Sequence, residues 1–105
     1  LPISEIAKWR DRNPVLGQLA TEAARVVKGY GRVRQDALAD LWGFLEQGLP
    51  KLEKLESDGG DLNRVGIQAV DVLAKQAGSL QACLDYVQRQ IDNHQSGIII
   101  ASKAS

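Results

Sequence analysis

Methionine is missing altogether, even at position 1, so the chain is expected to begin inside a longer precursor or to be a domain of a larger protein. A targeting signal would then lie outside these residues. Cys83 is the only cysteine, which excludes an internal disulfide and any cysteine-based zinc site. It fits a cytoplasmic protein and a buried, inert thiol. His94 is the only histidine, so a two-histidine metal site is also excluded. No run approaches the roughly 18 apolar residues that a membrane-spanning helix needs. Aromatic side chains are scarce, only Trp9, Tyr30, Trp42, Phe44 and Tyr86, so the core must be built mostly from Leu, Val, Ile and Ala.

Net charge is zero, which argues against a dedicated binder of nucleic acid or acidic membrane. The charges are nevertheless uneven. Residues 1–34 carry a net charge of +4, residues 35–63 one of −5, and the remainder +1. Pairing of the first two segments within one bundle is the simplest account. A basic face made by Arg10, Arg12, Arg25, Lys28, Arg32 and Arg34 is the alternative.

What the sequence does have is helical periodicity. The chain is expected to centre on residues 62–77, where Leu62, Val65, Ala69, Val72 and Leu73 form one stripe and Ile67, Val70, Ala74 and Ala77 a second. Two stripes predict contacts on two sides. Asp61 is placed to cap this helix after the Gly59-Gly60 break, and Gly78 to close it. Gly66 and Ala69 would let a neighbour approach closely.

In chain order, a short helix begins at the Ser4 cap and ends at Asn13-Pro14. The next starts there, because Asn caps well and Pro is tolerated in the first turn. It runs to about Lys28, with Val15, Leu16, Leu19, Ala20, Ala23, Val26, Val27 and Tyr30 on one stripe. A third runs from about Val33 to Gln47, with Leu38, Leu41, Trp42, Leu45 and Leu49 inward and Phe44 off the stripe. Gly48-Leu49-Pro50 predicts a stop, followed by a short helix carrying Leu52 and Leu55. The last runs from Ser79 to about His94, with Leu80, Cys83, Leu84, Val87 and Ile91 inward, and Ser96-Gly97 ends it. The expected fold is all-α: an up-and-down antiparallel four-helix bundle with one or two extra short helices. Residues 1–96 form the bundle and 97–105 an apolar C-terminal tail. Its three isoleucines are expected to cover the bundle end or to pair with another chain.

The search for chemistry finds little. There is no phosphate-binding glycine loop. The acidic turn Glu56–Asp61 lacks calcium ligands at the required spacing, since counting from Asp58 the third, fifth and twelfth positions are Gly60, Leu62 and Ala69. Asp36 and Asp40 share a helix face near its start, where acids favour the helix dipole. His94 is expected at a helix end, as a cap. Trp9 beside Lys8, Arg10 and Arg12 could clamp nucleic acid, although it reads better as an anchor for the first helix. No cofactor, metal or catalytic group is implied.

The expected function is non-enzymatic: a protein–protein interaction or adaptor module, one domain of a larger protein. Usage rich in alanine, arginine and glutamine points to a bacterial source. The expected partner is another protein or a second copy. The expected contacts are the apolar side chains that miss the core stripes: Trp9, Phe44, Tyr86, Ile98, Ile99 and Ile100. The alternative is a nucleic-acid-associated module using the basic N-terminal third.

Overall fold

A computed structural model describes residues 1–75 and 80–104, except for the side chains of residues 99 and 101–104. Everything described is helix or short connection, and no strand occurs among these residues. The helices are α1 (Ile3–Arg12), α2 (Pro14–Arg25), α3 (Gly31–Gly43), α4 (Leu49–Ser57), α5 (Leu62–Lys75) and α6 (Leu80–Ala104), with a π-helical segment, Phe44–Gly48, joining α3 to α4. The expectations placed on Ala77, Gly78 and Ser79 lie outside the described residues.

The corner between α1 and α2 forms as the sequence dictates. The Asn13 side chain accepts from the backbone N–H groups of Val15 and Leu16 at 2.9 and 3.2 Å, satisfying donors that a first turn leaves without partners. The first helix starts earlier than expected, at Ile3 after Pro2, and Ser4 does not cap it. On α2 the predicted stripe holds where Leu16, Leu19, Ala20 and Ala23 are buried. The helix then ends at Arg25 rather than Lys28, and Tyr30 is 93% exposed instead of facing inward.

The expected stop at Gly48-Leu49-Pro50 does not occur, and residues 31–57 form one continuous rod. Proline lacks an N–H, and its ring would strike the carbonyl four residues back, here Glu46. The rod absorbs this by widening one turn: the Leu49 N–H donates to the Phe44 carbonyl, five residues back. The extra residue shifts the phase of the inner face. Phe44, expected off the stripe, is fully buried together with Leu41, Leu45, Leu49 and Leu52. Trp42, expected inward, is turned outward.

The turn between α4 and α5 uses Gly59 at φ 92°, a conformation that favours glycine. Asp61 caps α5 as expected, accepting from the Arg64 N–H at 3.1 Å. On α5 the first stripe is buried at Leu62, Val65, Ala69 and Leu73. The second is not a contact face: Ile67 and Ala74 are exposed and Val70 is half-buried. Close approach at Gly66 does occur, since a Cβ there would overlap the Val15 side chain on α2.

The last helix runs through Ser96-Gly97 instead of stopping, so Ile98 and Ile100 belong to α6. They do not fold back over the bundle end, for both are exposed. Its direction relative to its neighbours follows from three contacts with the π segment and α4. A Cβ on Gly48 would lie 3.1 Å from Leu84 Cδ2, Lys51 Nζ donates to Gln88 Oε1 at 2.9 Å, and His94 Nε2 lies 3.1 Å from the Asp58 carbonyl. Residue numbers rise together along both, so α4 and α6 are parallel. The short connection from α4 to α5 turns the chain back between them.

Candidate functional site

Cys83 and His94, singled out by the sequence, both make structural contacts. Cys83 is fully buried, and its thiol reaches the Ala69 carbonyl at 3.6 Å. Burial pushes its pKa up to about 12, so it holds its proton and is not a nucleophile. His94 stands in the interior of α6, not at its end as the sequence suggested. Its contact with the Asp58 carbonyl ties α6 to an orphan acceptor at the end of α4. No group of three or more His, Cys, Asp or Glu is placed to hold a metal among the described residues. No described helix is long and apolar enough to cross a membrane.

Two of the expected partner-binding residues belong to the core instead. Trp9 and Phe44 are buried, Trp9 between α1 and the bundle and Phe44 through the phase shift of the π turn. The Arg12 guanidinium lies 5.0 Å over the Trp9 ring and reaches Glu53 on α4 at 2.7 Å, closing α1 onto the bundle. The Trp9 indole N–H has no hydrogen-bond partner among the described residues, a cost of about 1–3 kcal/mol. Tyr86 is half-buried against the core. Burial, with Cys83 beside it, raises its phenol pKa, while Arg64 and Arg89 pull it down. Ile98 and Ile100 are exposed, as that reading requires, while Ile99 lies outside the described side chains.

Two of the six residues of the expected basic face are held in ion pairs. Arg12 is committed to Glu53 and Arg25 to Glu22 at 3.0 Å. Arg12–Glu53 is the one ion pair joining the basic and acidic segments among the described residues. Arg10, Lys28, Arg32 and Arg34 are exposed and have no ion-pair partner among those residues. Asp36 and Asp40 stand exposed on the same stretch of α3 as Arg32 and Arg34, so that stretch carries mixed charge.

The surface has two apolar regions that the sequence reading missed. One is the start of α3, where Tyr30 is 93% and Val33 66% exposed, while Trp42, 42% exposed, lies nine residues further on and on the opposite side of the helix. A signal was present: between Gly31 and Leu38 no large apolar residue other than Val33 occurs, so this stretch lacks the stripe that a packed helix needs. The other is a groove of about 380 Å³ between α2 and α5, lined by Val15, Gln18, Asn63, Gly66, Ile67 and Val70. A second cleft, of about 220 Å³ between α4 and α6, includes Lys51, Lys54, Leu55, Ile91 and His94.

No protein-family model, curated protein or solved structure matches this chain.

Proposed function

We propose that this chain is a non-enzymatic protein–protein interaction module, an up-and-down helical bundle serving as one domain of a larger cytoplasmic protein. The observation that carries this reading is where the large apolar side chains lie exposed. Tyr30 and Val33 are exposed one turn apart at the start of α3, and Ile98 and Ile100 on the last turns of α6. Grouped exposure of this kind marks interaction surfaces. A thiol sealed in the core, with no cysteine to pair with, suits a reducing compartment.

The test is site-specific photo-crosslinking in cells of the source organism, with the probe at position 33, 98 or, as control, 85. A discrete product from 33 or 98, identified and then re-bound as a purified protein, supports the reading when Val33→Glu or Ile98→Glu abolishes that binding. No product from either position overturns it.

A second reading has its own observation. Lys28, Arg32 and Arg34 are exposed beside Tyr30, an arrangement able to contact phosphates and stack one base. Binding of short oligonucleotides that weakens steeply with salt would favour it. No binding at low salt removes it.

A further inference from the structure

The parallel pairing of α4 and α6 has a fixed register. Gly48 meets Leu84, Lys51 meets Gln88 and Asp58 meets His94, offsets of 36, 37 and 36 positions. On that register Leu80, the first described residue of α6, stands beside Phe44. Residues 31–40 of α3 therefore extend past the start of α6, and residues 95–104 of α6 extend past the end of α4. At 1.5 Å per residue each overhang is about 15 Å long. The rod of residues 31–57 is about 40 Å long, and the α6 overhang brings the pair to about 55 Å. The long axis of the molecule is 55 Å. The overhangs thus point out of opposite ends and lie on adjoining lines.

Their exposed faces continue the faces already packed together. On α6, Ile98 follows Leu84, Val87 and Ile91 at helical spacing. A Cβ on Gly97 would meet nothing within 4 Å. On α3, exposed Val33 and half-buried Ala37 precede Leu41 and Phe44 at steps of four, four and three. Each overhang offers the half of a parallel helix pair that the other lacks.

We propose that a second copy of this chain occupies these overhangs, head to tail. The α6 overhang of one copy lies along the α3 overhang of the next, in the same parallel sense as α6 beside α4 within a chain. The contact joins two different surfaces, so it does not close on itself and can propagate. It is short, below the ~1,200 Å² of stable interfaces, so association is expected in the micromolar to millimolar range. This inference rests on the interaction-module reading and supplies its partner.

Light scattering of the 105-residue chain tests it, over concentrations up to about 1 mM. The average mass is expected to rise steadily from the 11.4 kDa monomer without a plateau at the dimer. Val33→Glu and Ile98→Glu should each remain monomeric, with unchanged thermal unfolding because both side chains are exposed. Val33→Gln and Ile98→Gln serve as milder replacements should either glutamate variant unfold. The decisive sample is an equimolar mixture of the two variants. It retains one intact α6 overhang and one intact α3 overhang, so it should form a heterodimer and nothing larger. A wild-type chain that stays monomeric, a mixture that does not associate, or dissociation by Val33→Glu alone would each overturn the proposal. A monomeric wild type that still cross-links to a different protein would sink self-assembly and leave the interaction-module reading standing.

Discussion

Residues 31–40 and residues 41–57 belong to one helical rod and behave as two different materials. The second half buries Leu41, Phe44, Leu45, Leu49, Leu52 and Leu55, contacting α5 and α6. The first half buries nothing fully, and only Ala37 and Leu38 are partly covered. Both are helical, the second through the widened turn at Phe44–Gly48. What changes is whether other helices stand alongside. Isolated helices of ten residues are marginal in water, so the outer half depends on its connection to the inner half for its order. The same division runs through α6, packed at Cys83 and Val87 and unpacked at Ile98 and Ile100.

The sharpest way to break the comparison is to truncate one side chain in each half. Leu45→Ala should destabilise the fold by about 2–5 kcal/mol, through lost burial and the cavity left behind. Val33→Ala should change it by less than about 0.5 kcal/mol, as exposed substitutions do. Chemical denaturation of both variants checks this. Equal effects would mean that the outer half is packed after all.

A smaller effect is expected where α1 meets α2. A Cβ on Gly17 would overlap the Arg10 backbone at Cα, which cannot swing aside as a side-chain tip would. Gly17→Ala should cost about 1–3 kcal/mol by the overpacking that close helix approaches impose. Gly97→Ala, in the open overhang, should instead be neutral or stabilising by up to about 1 kcal/mol. Opposite signs for two glycine-to-alanine changes in helices would confirm that packing, not propensity, separates the two regions.

About 1 kcal/mol is at stake in the Asn13 cap, the typical loss when such a residue becomes Ala. Asn13→Ala also removes the 3.3 Å hydrogen bond from Asn13 Nδ2 to Glu56 Oε1, an exposed contact that adds little. Thermal unfolding should fall modestly. No change would show that α1 and α2 are held by burial of Trp9 and Leu16 alone.

The cap, the α2 stripe, Asp61, the close approach at Gly66 and the buried thiol were all legible because each depends on a few neighbouring residues. The continuous rod and the overhangs were not. Gly48-Leu49-Pro50 reads as a stop when the helix is assumed to keep its ordinary turn. A single widened turn keeps the rod going and moves Phe44 inward while Trp42 moves out. Ser96-Gly97 likewise reads as an end, yet nothing crowds the backbone there and α6 continues. Periodicity predicts which face a helix would bury, but it does not say where its neighbour ends. That is why the exposure of Val33 was missed.

The last effect is absent at neutral pH and appears only as a slope above pH 9, confined to the packed half of α6. Burial raises the Cys83 pKa from 9.0 to about 12. The unfolded chain therefore releases this proton at lower pH than the folded one. The thiol's contribution to stability is fully present below pH 9 and declines as pH rises toward 12. Cys83→Ala should remove that decline, leaving a flatter stability curve above pH 9 at the expense of a small cavity. Thiol labelling gives an independent reading: at pH 8 the native chain should react far more slowly than the unfolded one. A cysteine placed at Ile98 in the Cys83→Ala background should label at the unfolded rate. Fast labelling of Cys83 itself would mean that α6 separates from α5 as readily in its packed half as in its overhang, and the division between the two regions would fail.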